Sequence, residues 1–513
     1  MIPVIDLFAG PGGLGEGFSS LRDAENKPVF QTIMSIERDK QAHQTLRLRS
    51  YLRKIAEPDG TLPRVYLRYM KKHDNETFDQ LISYRPKEWQ AACDEALCDE
   101  LVDGDDRLVK LGAERVTRWF ENRDRGPLVL IGGPPCQAYS LVGRSRRKHD
   151  ITFEEDPKHT LYRCYLSFIN ELKPDVFVME NVKGLLSAKH EGHGVFNRIC
   201  KDMEEAGYTI HSLVTDDPHN PKDYVVKAEQ YGIPQMRHRV ILLGIKNDTG
   251  IEPSTLAKKQ VCTLGSALRG LPKLRSGFSE RNENWHDMNW AEYINSAAKE
   301  LKNCGECDDL ADILDRVISR YAPKLTAKHK IEPVSNRYGE WYRGRLGNSK
   351  VLTNHESRSH LASDLDRYLF CAAYAEKYGT PARLEEFPES LLPNHKNVQA
   401  AKTTGNYKFN DRFRVQVWGR PSTTITSHIA KDGHYYIHPD PSQCRSLTVR
   451  EAARLQTFPD DYLFEGNRTS QYTQVGNAVP PLLAQQIAAV VAKALGEEAH
   501  GFYENLIDDT DCS

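Results

Sequence analysis

Two apolar runs, each followed by residues capable of covalent or acid–base chemistry, constrain the fold of this 513-residue chain most strongly. The run 128–131 is closed by two glycines and followed by Pro-Pro-Cys-Gln at 134–137. The run 176–179 leads directly into Glu-Asn-Val at 180–182. Short apolar runs bounded by turn residues are typical of buried strands, and open parallel sheets bind ligands at the carboxyl ends of such strands. We therefore expect a thiol and a carboxylate at one edge of one sheet.

The first half of the chain alternates between strand-like and helix-like segments, which predicts a doubly wound α/β sheet. Helical spacing occurs at 161–172 and again at 195–206. The segment 50–125 is longer than one crossover requires and is rich in charge, so we interpret it as an insertion with its own helices. The predicted strands are 4–8, 32–37, 128–132, 176–180 and 240–245.

The second half changes in character from about residue 255, where polar stretches separate short patches of helical period. An apolar helix is predicted at 480–494. The segment 412–418 alternates with period two, so Phe413, Val415 and Val417 would share one face of a strand. The other face of that strand would carry Arg412, Arg414 and Gln416.

The composition, with 39% hydrophobic and 27% charged residues, predicts a soluble globular enzyme, and the length predicts two domains. No apolar run approaches the roughly 20 residues of a membrane span, and the first residues do not have the pattern of a signal peptide. Eleven cysteines without regular spacing predict free thiols in a reducing cytoplasm, and no metal site is expected. Because the net charge is −2, local basic clusters are more informative than the sum. The cluster at 144–148 predicts phosphate contacts, whereas we interpret the cluster at 47–54 as a solvated face.

Six blocks, taken in order, resemble those of the bacterial DNA (cytosine-5)-methyltransferases. They are 6–14 (Asp-Leu-Phe-Ala-Gly-Pro-Gly-Gly-Leu), 134–140 (Pro-Pro-Cys-Gln-Ala-Tyr-Ser), 180–182 (Glu-Asn-Val), 235–239 (Gln-Met-Arg-His-Arg), 445–456 and 474–480. The resemblance implies a Rossmann-like, S-adenosylmethionine-dependent methyltransferase fold with a smaller, irregular target-recognition domain. It implies a catalytic domain at 1–255, including the 50–125 insertion, a target-recognition domain at 256–444 and C-terminal blocks at 445–513. Residues 474–496 would pack back on the catalytic domain.

The first block also satisfies the G-x-G-x-x-G pattern of dinucleotide-binding dehydrogenases, which by itself favours a nicotinamide cofactor. The other blocks have no use in a dehydrogenase, so the resemblance assigns the site to S-adenosylmethionine. The cofactor-binding residues that it implies are Phe8, Gly10, Gly12, Leu14, Glu37, Leu161, Asn477, Ala478 and Val479. The family's acidic residue for the adenine amino group has no match, because the nearest candidate, Ala113, is alanine.

The chemistry implied by the resemblance starts with Cys136, whose thiolate would add to C6 of cytosine and so activate C5. Glu180, if protonated, would donate to N3 of the ring, and Asn181 would orient the cysteine loop. Arg239 would polarise O2, with Arg237 supporting it or gripping the DNA backbone. For each of these residues a plain structural role is the alternative, as is a buried thiol for Cys136.

The implied partner is double-stranded DNA, from which the target base must be flipped out. Residues expected to contact DNA are Gln137, Ser140, Arg144, Arg146, Arg147, Arg412, Arg414 and Gln416. For 412–418, sequence reading and a half-buried strand with a wetted polar face remain equally open. Alternative functions are RNA cytosine-5 methylation on the same scaffold and an inactive DNA-binding regulator. We expect a cytoplasmic monomer that does not bind membranes. The sequence leaves open whether a cognate restriction or phage-defence system accompanies it.

Overall fold

A computed structural model describes residues 1–57, 60–135, 161–190, 193–281, 289–319, 323–325, 337–393 and 410–506. Six predicted site residues lie outside the described residues, namely Cys136, Gln137, Ser140, Arg144, Arg146 and Arg147. The fold up to Pro135, which leads into the predicted nucleophile, is described.

The described strands, in chain order, are β1 (Ile2–Leu7), β2 (Phe30–Ile36), β3 (Ala96–Leu97), β4 (Val129–Gly132), β5 (Val176–Val182), β6 (Lys189–His190), β7 (His193–Gly194), β8 (Tyr208–His211), β9 (Val225–Lys227), β10 (Gln235–Met236), β11 (His238–Lys246), β12 (Gly277–Phe278), β13 (Ser359–His360) and β14 (Ser422–Thr423). The main sheet has the order β3-β2-β1-β4-β5-β11-β8, with β9 also paired to β11. All five strands expected from the sequence are present, with ends that differ by at most two residues.

The described α-helices are α1 (Gly13–Ser20), α2 (Lys40–Ile55), α3 (Arg64–Lys72), α4 (Asn75–Tyr84), α5 (Pro86–Glu95), α6 (Arg107–Phe120), α7 (Leu161–Leu172), α8 (Val195–Glu205), α9 (Leu264–Leu268), α10 (Trp290–Asn303), α11 (Ala311–Ser319), α12 (Arg337–Arg343), α13 (Ala362–Tyr378), α14 (Val449–Leu455), α15 (Arg468–Asn477) and α16 (Pro481–Ala494). Both helices expected in the first half, α7 and α8, are present. The predicted α/β architecture is thereby confirmed.

The direction of the strands decides which residues meet at the functional edge. Strands β1 to β5 pair in parallel, whereas β11 runs antiparallel to β5. The first residues of β11 therefore lie beside the carboxyl end of β5, with Arg239 opposite Val182 and Ile241 opposite Glu180. The antiparallel strand brings the block 235–239 to the same edge as the block 180–182.

Alternating residues of the sheet enter two cores on its opposite faces. Val4 and Val129 pack with α1 and α16 on one face, and Ile5 and Leu130 pack with α6, α7 and α8 on the other. Both faces are covered, as expected for a mainly parallel sheet. Helix α16 contacts α1 so closely that a Cβ on Gly17 would overlap Ala484. The stretch Arg468–Ala494 is long and apolar enough to cross a membrane by composition alone, but 89% of its apolar window is buried, which is typical of a core helix.

The segment 50–125 is only partly separate from the main sheet. Residues Ala96–Leu97 form the edge strand β3, and α6 packs on the sheet, because Leu108 and Val109 belong to its core. The preceding helices α3 to α5 pack in a separate core. The basic cluster 47–54 was misjudged, because Arg49 is 2% exposed and ion-paired inside the protein.

The region after residue 289 contains a fourth core, formed by α10, α11 and α13 with Phe413 and Val415. The burial of these two side chains agrees with the face predicted for them. The segment 412–418 does not form the predicted strand, however. Its backbone pairs with the chain near Ile437 through a single bridge at Val415. An alternating pattern specifies which side chains are buried, but a strand also needs a partner of matching length.

Candidate functional site

The carboxyl ends of β4 and β5 lie side by side and hold the chain that leads toward Cys136. The amide of Asn181 donates a hydrogen bond to the carbonyl oxygen of Pro134 at 3.2 Å, and its own oxygen accepts from the backbone of Val182 at 2.8 Å. Asn181 therefore orients the start of the cysteine loop, as expected. Gly133 lies close to the carboxyl group of Glu180. A Cβ at this position would be only 3.2 Å from Oε2 of Glu180, so glycine leaves room for that side chain.

A carboxylate and a guanidinium face each other at this edge. Nε of Arg239 lies 2.8 Å from Oε1 of Glu180, and the two side chains are 15% and 12% exposed. The separation is short, but Oε1 has no hydrogen bond of good geometry among the described residues. Burial lowers the pKa of Arg239, and the charge of Glu180 opposes that shift. The pair thus presents a carboxyl group and a fixed cation, both partly open to solvent, beside Pro134.

Arg237 is placed differently from Arg239, although only one residue separates them. It is 2% exposed, and its guanidinium donates to the carbonyl oxygens of Ile425 at 2.9 Å and Gly476 at 3.2 Å. Burial, with the charge of Arg239 added to it, lowers the pKa of Arg237 well below its usual range. A guanidinium engaged by the protein backbone is not available to a substrate. The position of Arg237 therefore favours the expected supporting role over a grip on the DNA backbone.

The glycine-rich turn after β1 has the backbone of a ligand cradle. Phe8, Gly10 and Gly12 all have positive φ angles, of 56°, 58° and 96°. A Cβ on Gly10 would meet no atom within 4 Å, so the turn is open to solvent at that point. Leu14, on the first turn of α1, is buried below it. Such a turn lets a ligand approach the backbone closely.

Glu37 follows β2 and closes one side of the cradle. Its carboxylate accepts hydrogen bonds from the backbone of Gly10 at 2.8 Å and of Asp39 at 2.7 Å. Burial raises the pKa of Glu37, while these two amides act in the opposite direction. A carboxylate held in this position suits the vicinal hydroxyls of a ribose.

The C-terminal block meets the same turn from the other side. A Cβ on Gly13 would overlap the carbonyl oxygen of Val479 and would lie 3.3 Å from Cβ of Ala478. Asn477 is exposed next to them, and Leu161 is partly buried at the start of α7. The structure therefore brings the two ends of the chain together at the cradle. These residues fit a nucleoside-containing cofactor by shape and by their polar groups.

The position of Ala113 does not correspond to the family's adenine contact, because Ala113 lies within α6 and not after a strand. The third strand of the sheet is β3, and the chain that follows it contains Asp99. Both carboxylate oxygens of Asp99 accept from Arg107, at 2.7 and 3.1 Å. A strand of two residues has no pattern of its own, so the sequence did not reveal it.

The prediction that Gln416 lies on an exposed polar face is wrong. Its side chain is 2% exposed. It accepts a hydrogen bond from the backbone of Thr423 and donates one to the carbonyl oxygen of Tyr435. An amide satisfied inside the protein does not read a base edge. Arg412 and Arg414 are partly exposed, and Arg414 pairs with Asp411.

Two buried polar residues that were not assigned to the site also support it. Gln235 donates to Gln456 at 2.9 Å and accepts from the backbone of Ile425 at 2.8 Å. Gln456 in turn donates to the carbonyl oxygen of Ala478 at 3.2 Å. Both glutamines lie within recognised blocks, and their position in the blocks is the only signal that the sequence offered.

Comparison with known proteins agrees with this geometry. The family model for C-5 cytosine-specific DNA methylases matches residues 120–493. Type II methyltransferase M.Bpa9945I of Bacillus paralicheniformis is 32% identical over 98% of this chain and 100% of its own length. Type II methyltransferase M.AgeI of Thalassovita gelatinovora is 26% identical over 96% of this chain and 99% of its own.

A solved structure supports the fold independently. A prophage-encoded candidate DNA modification methyltransferase of E. coli aligns with a TM-score of 0.53 at 20% identity, covering 97% of this chain and 100% of that one. The family match extends over most of the chain and includes five of the six blocks in full. The chain therefore belongs to the C-5 cytosine-specific DNA methylase family and is a DNA (cytosine-5)-methyltransferase, which uses a methyl donor to modify cytosine in DNA.

Proposed function

We propose that this enzyme methylates C5 of a cytosine flipped out of a specific duplex DNA sequence, through a covalent bond between Cys136 and C6. The observation that supports this most is the Glu180–Arg239 pair, 2.8 Å apart at the strand edge. It lies next to Gly133 and Pro134, directly before the cysteine. An acid and a cation at the edge from which the chain runs into Cys136 match the needs of a ring that must be activated for attack.

The proposed step begins when Sγ of Cys136 forms a bond to C6. The electron pair of the C5–C6 double bond is displaced into the ring, where charge develops on N3 and O2. Glu180 in its protonated form donates its proton toward N3, and Arg239 stabilises the charge on O2. C5 then takes the methyl group, whose bond to the methyl donor breaks with its electron pair left on the donor. Loss of the C5 proton to water and of the thiolate from C6, with return of the N3 proton to Glu180, restores the aromatic ring.

S-adenosylmethionine is the proposed cofactor, and it would supply an activated methyl group on a sulfonium centre. Glu37 would hold its ribose, and the open backbone of Gly10 and Gly12 would allow close approach. The other residues proposed to line this site are Phe8, Leu14, Leu161, Asn477, Ala478 and Val479.

Double-stranded DNA would lie against the strand edge, between the catalytic domain and a target-recognition domain within 256–444. The separate core of α10, α11 and α13 supports this division. Arg412 and Arg414 remain candidate DNA contacts, together with the basic residues after Cys136. We further propose that the protein acts as a monomer in the cytoplasm, within a restriction–modification or defence system.

The different positions of Arg239 and Arg237 lead to a prediction. Arg239→Lys is expected to lower kcat by about 10²-fold with little change in Tm, because lysine keeps the charge but loses the planar fork. Arg237→Lys is the matched control, since it removes buried bonds to protein carbonyls. It should lower Tm by several degrees while kcat of the folded enzyme falls much less. Near-normal turnover of Arg239→Lys would exclude its role at O2.

Bisulfite sequencing of genomic DNA tests the proposed function directly. DNA from a methylation-deficient host that expresses the protein should contain protected cytosines at one short sequence, and a host expressing Cys136→Ala should have none. Protection confined to RNA would favour the RNA methyltransferase alternative. Absence of protection in both nucleic acids, with retained DNA binding, would favour the inactive regulator.

A further inference from the structure

A buried tyrosine between the two C-terminal blocks contacts the glycine turn directly. Tyr462 is 1% exposed, and its hydroxyl donates a hydrogen bond to the carbonyl oxygen of Pro11. The same hydroxyl would lie 2.9 Å from a Cβ on Gly12, so the tyrosine packs against the turn itself. Neither the acid–base chemistry nor the cofactor contacts proposed above use this residue.

The hydrogen bond fixes one particular peptide group. The carbonyl of Pro11 and the N–H of Gly12 belong to the same planar unit, and the N–H donates to the carbonyl oxygen of Ala9 at 2.9 Å. Tyr462 holds the other end of that unit. Gly12 has a φ angle of 96°, a region in which glycine is permissive, so the conformation of Gly12 does not by itself fix the orientation of this peptide.

Tyr462 is itself held in place by a buried arginine. The guanidinium carbon of Arg49 lies 4.6 Å from the centre of the tyrosine ring, within the range of a cation–π contact. Arg49 donates to Glu16 of α1 at 2.8 Å and to Asp461, the residue before Tyr462, also at 2.8 Å. These three charged side chains are at most 5% exposed. Removal of one partner from such a buried pair leaves an uncompensated charge, so Arg49 is firmly held beside the tyrosine ring.

We propose that Tyr462 is a positioning residue for cofactor binding, which holds the peptide between Pro11 and Gly12 in its binding orientation. The inference rests on the proposed S-adenosylmethionine site. Preorganisation of a turn increases affinity by lowering the cost of ordering it on binding. Loss of the hydroxyl should therefore weaken cofactor binding without changing the methyl-transfer step.

The test compares Tyr462→Phe with Tyr66→Phe in the full-length protein. Tyr66 is equally buried and donates to the carbonyl oxygen of Asp461 at 2.8 Å. It is a control for a general loss of packing, because its hydrogen bond is made to Asp461 and not to the glycine turn. Titration calorimetry with S-adenosylmethionine should show binding about 3- to 10-fold weaker for Tyr462→Phe, the range of one net hydrogen bond. Binding by Tyr66→Phe should equal that of the wild type.

Steady-state kinetics add a readout that a general structural role would not produce. Tyr462→Phe should raise KM for the cofactor by a similar factor, with kcat unchanged at saturation. Equal affinities for wild type and Tyr462→Phe, or equal losses in both variants, would overturn the inference. If the wild type itself does not bind S-adenosylmethionine, the proposed cofactor site is what fails.

Discussion

Cys136→Ala is expected to abolish methyl transfer while leaving cofactor binding almost unchanged. A thiol is the only group in the predicted set that can form and later release a bond to C6, and alanine removes it without adding bulk. Transfer of a labelled methyl group to duplex DNA measures the loss, and calorimetry measures cofactor binding. Cys304→Ala is a suitable control, because this exposed cysteine lies at the end of α10, in the region that contains the fourth core.

A mechanism-based trap gives a direct readout of the same residue. Duplex DNA with 5-fluorocytosine at the target position should form a stable adduct with the wild type, since fluorine cannot leave C5 as a proton does. The adduct should appear as a shifted band under denaturing conditions and should be absent with Cys136→Ala. A verified substrate duplex that forms no adduct with the wild type would remove the proposed role of Cys136.

Glu180→Gln is expected to lower the methyl-transfer rate by about 10²–10⁴-fold, the usual range for a positioned acid or base. Glutamine keeps the shape of the side chain and can still donate a hydrogen bond, but it cannot transfer a proton to N3. It also removes the carboxyl oxygen that lies 2.8 Å from Nε of Arg239. Single-turnover measurements at saturating DNA and cofactor isolate the chemical step from binding.

Glu229→Gln is a matched control for this change. Glu229 is also a partly buried carboxylate, 18% exposed, and pairs at 2.8 Å with His238, the neighbour of Arg239 on β11. Its replacement should leave the single-turnover rate near that of the wild type. If Glu180→Gln reacts as fast as Glu229→Gln, activation at N3 must come from another group.

Local patterns in the sequence were sufficient for the elements that carry the site. The apolar runs before 134 and 180 predicted β4 and β5, because a buried strand needs only a few consecutive apolar residues. The blocks likewise predicted that the glycine turn, Glu37 and residues 477–479 belong to one functional set. Period two at 412–418 correctly predicted the burial of Phe413 and Val415, although no regular strand forms there.

Contacts between distant parts of the chain decided which of these residues lie together and which are buried. The antiparallel direction of β11 places Arg239 beside Glu180. Arg237, two residues earlier, instead donates to buried carbonyl oxygens of the protein. Tyr462 reaches Pro11 across 451 positions of sequence, which no local periodicity can encode. Side-chain identity and spacing therefore determined the helices, the strands and the chemical groups. Strand direction, the edge strand β3 and the roles of buried polar residues depended on packing partners that exist only once the chain has folded.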